Sequence, residues 1–110
     1  MAIRRSRWLD IVRHRVRGVG APYLLVVQHH DIPASTLLAA PITRPVDGDT
    51  DVLAPRHMID GDLFRVRLLD SAAVPRNSLR DVVGSASGDA DAIRDALDII
   101  LHGYPVGRPH

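Results

Sequence analysis

The stretch LAPRHMIDGDLFRVRLL, residues 53–69, predicts a β-hairpin and sets the fold class of the chain. Two apolar runs, residues 53–59 and 63–69, flank an Asp60-Gly61 pair. Asp-Gly between apolar runs favours a type I′ turn, because both central positions of that turn need positive φ. The second arm alternates apolar side chains with arginines, which predicts one buried and one solvent-facing side. The alternating residues are Phe64, Val66 and Leu68 against Arg65 and Arg67.

Three further segments upstream of the hairpin predict strands. Residues 7–14 (RWLDIVRH) are rich in apolar side chains, and residues 23–30 (YLLVVQHH) form the most continuous apolar, β-branched run. Residues 37–43 (LLAAPIT) predict a third strand, in which Pro41 indicates an edge position or a bulge. Downstream of the hairpin residues 71–83 are ambiguous, with 79–83 as a candidate for a further short strand.

The end of the chain changes to a helical period. Four apolar residues fall at helical spacing: Ile93, Ala96, Leu97 and Ile100. Ser87 or Asp89 suits the N-cap, Gly103 suits the C′ position, and Pro105 forbids continuation. The order of about five strands and one C-terminal helix predicts a mainly β (α+β) fold, either a small barrel or a bent antiparallel sheet.

Length and composition exclude several classes of protein. The 110 residues predict a single domain over 1–110, with residues 1–6 and 105–110 as flexible tails. The absence of cysteine excludes disulfides and thiolate chemistry, and the net charge of +1 gives no general case for nucleic-acid binding. No apolar run approaches membrane-spanning length, and the basic start precedes no signal-like apolar segment, so the expected compartment is the cytoplasm.

Neither a metal site nor a catalytic site emerges from the residue pattern. His29 and His30 are neighbours on a predicted strand, so we expect them to face opposite sides and to mark a strand end entering solvent. His14 and His57 stand isolated in the sequence. The serines and threonines are scattered, with no G-x-S-x-G and no P-loop. We therefore predict no catalytic residue, no metal and no cofactor.

An arginine-rich segment, however, is a candidate for anion binding. Arg13, Arg15 and Arg17 lead into Gly18-Val19-Gly20. Arginine beside flexible glycines can bind phosphate bidentately, which would suit an RNA-cleaving site or a contact with an acidic protein. The alternative is an ordinary solvated hairpin loop.

The end of the predicted helix is the second candidate. Its exposed face is acidic, and its last turn presents Leu101, His102, Gly103 and Tyr104. An aliphatic and an aromatic side chain exposed there would anchor a protein contact. Alternatively, Tyr104 folds back onto the helix as an ordinary C-terminal contact.

Five motifs follow one another in an order that a known family shares. They are PYLLVVQHHDI at 22–32, Ala-Pro-Ile at 40–42, Leu-x-Pro at 53–55 followed by Ile-Asp-Gly at 59–61, the segment from Ala-Ala-Val-Pro at 72–75 through Leu79 to Val-Val-Gly-Ser at 82–85, and Ile-x-x-Ala-Leu-Asp-x-x-x-x-Gly at 93–103. Together they resemble the CcdB family of type II toxin–antitoxin toxins, and the resemblance covers the chain from about Trp8 to Tyr104.

The resemblance implies a small SH3-like five-stranded barrel with a C-terminal helix, which forms a homodimer. Members of the family bind the A subunit of DNA gyrase and trap it in its cleavage complex with DNA. A cognate CcdA-like antitoxin wraps the toxin with a disordered tail and extracts it. The resemblance therefore implies an inhibitor and not an enzyme. It also implies that the protein neither binds nucleic acid directly in a sequence-specific way nor associates with a membrane.

The family's gyrase-facing positions match seven residues of this chain: Asp31, Ile32, Asp98, Leu101, His102, Gly103 and Tyr104. The best-known members end in Trp-Gly-Ile at the last three of these positions. Here the glycine is kept, an imidazole stands in place of the indole, and six more residues follow.

Two alternatives share this fold. A MazF-type endoribonuclease has the same barrel and a strand similar to residues 37–43, and Arg13, Arg15 and Arg17 would then face RNA. Residues 53–103 fit the CcdB pattern better. A drifted, non-toxic relative that only binds an antitoxin is the third possibility.

Overall fold

A computed structural model describes residues 7–13, 21–79 and 81–103 of the chain. In these residues seven strands form one curled antiparallel sheet, and a helix follows them. The elements are β1 (Asp10–Arg13), β2 (Tyr23–Val26), β3 (Thr36–Thr43), β4 (Arg56–Ile59), β5 (Asp62–Val66), β6 (Ala72–Pro75), β7 (Val82–Ser85) and α1 (Ala90–His102). The predicted mainly β, barrel-like α+β fold is confirmed.

The strand order is β4-β5-β3-β2-β1-β7, and β6 pairs with β3 beside this path. The number of strands exceeds the predicted five because the ambiguous segment at 71–83 supplies β6 and the beginning of β7. Strand β3 is central: it pairs with β2 along one side and with β6 and then β5 along the other.

The prediction that Pro41 marks an edge or a bulge is wrong, because Pro41 lies inside the sheet opposite Leu24. Its carbonyl oxygen accepts the Arg67 N–H at 2.8 Å, on the side where β3 changes partner. The β6 ladder ends there at Ala39, and the β5 ladder begins at Ile42. Proline lacks an N–H, and that missing donor falls in the gap between the two ladders, so no ladder bond is lost.

The predicted hairpin is confirmed as β4–β5. Asp60 and Gly61 have φ of 51° and 83°, the two positive values that a type I′ turn needs. Phe64 and Val66 are buried, as the alternation predicts. The prediction that the arginines face solvent is wrong: the side chains of Arg65 and Arg67 are only 14% and 17% exposed, because they pair with Asp49 and Asp51 of the loop before β4. Both arms are shorter than predicted, because residues 53–55 lie in a turn and a short 3₁₀ segment, Leu68–Asp70, follows β5.

The first two strands are also shorter than predicted. Strand β1 starts only at Asp10, because a turn precedes it in which the Asp10 carboxylate accepts the Arg7 N–H at 2.7 Å. Strand β2 ends at Val26, so His29 and His30 lie beyond it in a loop. His14 lies outside the described residues.

Two buried clusters cover the two faces of the sheet, which explains why β2 is apolar at successive positions. Leu25 belongs to the cluster beneath the helix, while Leu24 and Val26 belong to the cluster on the opposite face. The first cluster also contains Leu9, Ile11, Val27, Ala40, Ile42, Phe64, Val66, Leu68, Ala86, Ile93 and Ala96; the second also contains Val12, Leu37, Ala39 and Leu79.

The helix packs as its period predicts. Ile93 and Ala96 are buried, and Leu97 and Ile100 pack against the same cluster. Gly103 ends the helix with φ of +71°, and its N–H donates to the Ile99 carbonyl at 2.8 Å. The predicted side-chain N-cap is not formed: Asp89 is the N-cap residue, but its carboxylate accepts from His57 Nδ1 at 2.5 Å instead.

Several sequence predictions fall outside the described residues, among them Tyr104, Pro105 and the tails at 1–6 and 105–110. The single domain over 1–110 remains a prediction. None of the helices among the described residues is long and apolar enough to cross a membrane.

The packing of α1 makes a stability prediction. Ile93 is 1% exposed and Leu101 is 72% exposed on the same helix. Ile93→Ala should lower the free energy of unfolding by about 2–4 kcal/mol through lost burial and a residual cavity. Leu101→Ala should change it by less than about 0.5 kcal/mol. Urea unfolding measures both, and equal losses would contradict the assigned helix face.

Candidate target-binding surface

The last turn of α1 presents the side chains that the sequence analysis singled out. Leu101 is the most exposed large hydrophobic residue in the described part of the chain. His102 Nε2 lies 4.0 Å from Asp98 Oδ1 one turn earlier, and both side chains are exposed. An ion pair so exposed contributes little to stability, and only when the imidazole is protonated. These side chains are therefore available to a partner.

Gly103 is required by the backbone and not by a close neighbour. A Cβ placed on Gly103 would meet nothing within 4 Å, yet its φ of +71° is strained for any other residue. The glycine ends the helix and leaves its last turn facing solvent.

The loop that carries Asp31 and Ile32 is held by hydrogen bonds to its backbone. Asp31 N–H donates to His29 Nδ1 at 3.2 Å, and Ile32 N–H donates to the His29 carbonyl at 3.2 Å. Arg76 donates to the carbonyls of Ile32 at 3.0 Å and Ala34 at 2.5 Å. The Asp31 carboxylate and the Ile32 side chain remain exposed on a backbone that is fixed in place.

His29 and His30 do not face opposite sides, and that prediction is wrong. Their rings stack with centroids 4.2 Å apart and planes 26° apart. The prediction assumed a strand, whose side chains alternate, but β2 ends at Val26 and the loop geometry brings both rings together.

Trp8 joins this loop to the helix. Its backbone N–H donates to His30 Nδ1 at 3.3 Å, and its ring centroid lies 6.1 Å from that of His29. The Arg94 guanidinium carbon lies 4.5 Å from the Trp8 ring centroid, a cation–π contact. A continuous series of contacts thus runs from the loop through Trp8 to α1.

We call the surface formed by residues 29–32, Trp8 and residues 94–103 the Trp8 face. Arg94, Asp98 and His102 follow at intervals of four, so they lie along one side of the helix. Defined in this way, the Trp8 face includes six of the seven positions that match the family's gyrase-facing residues, and the contact of Trp8 with the helix is made at Arg94. The seventh, Tyr104, lies outside the described residues.

The described part of the arginine-rich segment, Arg13, does not support the predicted anion site. Arg13 ends β1, its Nε lies 3.7 Å from Asp81 Oδ2, and its backbone N–H donates to the Asp81 carbonyl at 2.9 Å. Arg15 and Arg17 lie outside the described residues, so the grouping of the three remains a prediction.

A second polar centre lies under the loop of residues 44–54, beside a surface pocket of about 240 Å³. Arg67 binds both carboxylate oxygens of Asp49, with Nη2 3.0 Å from Oδ2, and also donates to Thr43 Oγ1 and the Arg44 carbonyl. Arg65 donates to Asp51 at 2.5 Å and to the Ala54 carbonyl at 3.0 Å. Arg65 Nε is buried without a hydrogen-bond partner among the described residues, 3.9 Å from Asp49 Oδ2. The other donors named here are engaged within the chain, and Asp49 and Asp51 offset the charge of the two guanidinium groups, so the network fixes the loop and does not form an open anion site.

The sequence analysis missed Trp8 and Arg94 as parts of the surface, and the Asp49–Arg67 pair. One signal was available: Trp8 is the only tryptophan in the chain and stands near the start of a predicted strand. The helix partner of Trp8 depends on how α1 crosses the sheet, which no local pattern specifies.

Comparison of the sequence with protein-family models and with curated proteins found no match. The resemblance to CcdB toxins therefore stays an expectation from the motifs and their order.

The cation–π contact makes a spectroscopic prediction. Arg94→Ala should shift the fluorescence emission of Trp8, the only indole in the chain, and lower the free energy of unfolding by about 0.5–1 kcal/mol. Asp95→Ala, an exposed neighbour on α1, is the control and should leave the emission unchanged. Identical spectra for wild type and Arg94→Ala would show that the two side chains do not touch in solution.

The Asp49–Arg67 pair predicts a pH dependence. Hydrogen bonds from Arg67 and from the Val46 backbone lower the pKa of the Asp49 carboxyl from 3.8 to about 2. A carboxyl whose pKa is depressed by folding adds stability above its unfolded value, and that stability is lost as the pH falls toward 2.

Asp49→Asn should therefore be less stable than wild type at neutral pH, and the difference should shrink between pH 3.8 and about 2. Urea unfolding across that range measures the difference. Asp47→Asn, in the same loop and exposed, serves as the control with a small effect. A difference for Asp49→Asn that does not change with pH would contradict the role of its charge.

Proposed function

We propose that this chain is a CcdB-type toxin of a type II toxin–antitoxin system, which acts in the cytoplasm by binding the A subunit of DNA gyrase. The Trp8 face makes the contact, and the toxin poisons the enzyme as an inhibitor without catalysing a reaction itself. The active form is a homodimer, and a CcdA-like antitoxin neutralises it. Each part of this proposal extends the resemblance set out above.

One observation carries the proposal. The two segments that match the family's gyrase-facing positions, residues 31–32 and 98–103, are far apart in sequence. The contacts of Trp8 with His29, His30 and Arg94 connect the loop of the first segment to the helix of the second. A shared surface is what a common target would need, and motif matching alone does not require it.

The chemistry of the Trp8 face fits a protein target. Leu101 and Ile32 supply exposed apolar area, and Asp31 and Asp98 supply negative charge beside it. Apolar anchors with charged neighbours are typical of interface hot spots and their rims. The matching surface on the target would be an apolar pocket with basic residues around it.

The imidazole of His102 changes how binding energy is distributed over this surface. Tryptophan buries more apolar area than histidine and loses less on desolvation. In this chain Leu101, next to His102, offers the larger apolar surface. We therefore assign the main anchoring role to Leu101 and a secondary, polar role to His102.

A charge reversal tests the assignment directly. Leu101→Glu should weaken binding to the gyrase A subunit by at least about tenfold, since burying a carboxylate in an apolar pocket is costly. Val46→Glu places the same charge on another exposed hydrophobic residue, outside the Trp8 face, and should bind as wild type does. Binding by surface plasmon resonance and gyrase-dependent DNA cleavage are the two measurements.

Deletion of residues 102–104 provides a second test of the same surface. Growth inhibition on expression should be lost together with DNA cleavage by gyrase. Toxicity that survives the deletion would contradict the site. Cleavage of a single-stranded RNA panel by the purified chain, with gyrase unaffected, would contradict the proposed function and favour the MazF-type alternative.

A further inference from the structure

Three consecutive residues on the loop after β2 place their ligand atoms together. His29, His30 and Asp31 each offer one nitrogen or oxygen, and these atoms all lie within 4.8 Å of one another. Asp31 Oδ2 is 3.7 Å from His29 Nδ1, and Asp31 Oδ1 is 3.7 Å from His30 Nε2. Two imidazoles and a carboxylate thus lie side by side at the surface.

We propose that His29, His30 and Asp31 bind a divalent first-row transition metal ion of the Zn²⁺, Co²⁺ and Ni²⁺ type. Imidazole suits these ions, whereas Mg²⁺ and Ca²⁺ prefer sites built from oxygen alone. With bonds of about 2.1 Å in a tetrahedron, ligand atoms lie roughly 3.4 Å apart. Each imidazole nitrogen lies 3.7 Å from one oxygen of the Asp31 carboxylate, Oδ2 for His29 and Oδ1 for His30, which is close to that value. All three ligand atoms lie within 4.8 Å of one another, so a modest movement of the exposed Asp31 side chain and of the imidazoles brings them to one ion.

The arrangement is partly organised in advance. The backbone hydrogen bonds from Ile32 and Arg76 hold the loop. The stacked rings keep the two imidazoles close together, and at least one ring must turn about its χ angles to aim its lone pair at a shared ion, because the lone pairs lie in the ring planes. Because the three ligands are adjacent in sequence, little chain entropy is lost in bringing them to one ion. Three protein ligands leave one tetrahedral position for water.

Metal binding requires a change of tautomer at His30. Its Nδ1 accepts the Trp8 N–H at 3.3 Å, so the neutral ring carries its proton on Nε2. An ion at Nε2 moves that proton to Nδ1, and the bond from Trp8 is then lost. At His29 the ion takes the place of the Asp31 N–H on Nδ1. Both hydrogen bonds are long, so their loss costs little free energy. Their loss changes the surroundings of the Trp8 and Asp31 amide protons, and the amide signals therefore report metal binding.

The site stands independently of the proposed function, because its readouts involve only the chain and the metal. The two proposals share Asp31, and the measurement of metal binding needs no gyrase. Failure of either one therefore leaves the other testable.

Titration of the tag-free chain with Zn²⁺ in chelator-treated buffer tests the site. Calorimetry should show one ion bound per chain, and ¹H–¹⁵N spectra should show the Trp8 and Asp31 amide signals moving most. His30→Ala and Asp31→Asn should each weaken binding by at least about tenfold, as expected for loss of a direct ligand. His102→Ala removes an exposed histidine outside the cluster and should bind as wild type does.

Co²⁺ gives an independent readout, since its visible absorption reports the coordination geometry and its paramagnetism broadens nearby signals. Broadening centred on residues 29–31 is expected. Thermal unfolding in the presence of chelator shows whether each variant is folded. Equal Zn²⁺ affinity of wild type and the folded double variant His29→Ala/His30→Ala would overturn the proposal, as would broadening centred elsewhere.

Discussion

Strand β3 pairs with three other strands, and the arrangement of the whole sheet depends on which part of β3 pairs with each. It pairs with β2 along one side, and on the other with β6 over Thr36–Ala39 and with β5 at Ile42 and Thr43. Pro41 lies where the second side changes partner, and its missing N–H costs nothing there. The division separates β6 from the β4–β5 hairpin, and this lets one sheet curl into a barrel-like form.

The position of Trp8 in the Trp8 face depends on how the start of β1 is bonded to its neighbours. The N–H of Leu9 donates to the Val26 carbonyl at 2.7 Å, and the Ala86 N–H donates to the Leu9 carbonyl at 2.8 Å, so the start of β1 is tied to both neighbouring strands. Leu9 adopts φ of +64°, which is unfavourable for a branched side chain, yet the residue is fully buried. Burial and the two hydrogen bonds hold this conformation, and Trp8 is thereby placed between the loop and the helix.

Local patterns predicted the elements whose causes are local. The type I′ turn at Asp60-Gly61 and the stripe through Ile93 and Ala96 follow from short-range rules, and both are confirmed. The wrong predictions concern residues whose conformation is set by contacts with residues far away in the sequence. Pro41 is tolerated inside the sheet because two ladders meet beside it, and the Asp89 carboxylate leaves its cap position because His57 lies close by. Likewise, the stacking of His29 on His30 depends on where β2 ends, which the apolar run did not specify.

The start and the middle of the helix contact the rest of the protein, whereas its last turn is exposed. The His57–Asp89 bond ties its start to β4, Ile93 and Ala96 bury its middle, and Arg94 covers the Trp8 ring. Its last turn carries Leu101 and His102, both exposed. A rigid element whose last turn is exposed can present a side chain to a partner without losing much conformational freedom on binding. The exposed apolar area of Leu101 is thus held at low entropic cost, which is the property that the proposed function requires of this residue.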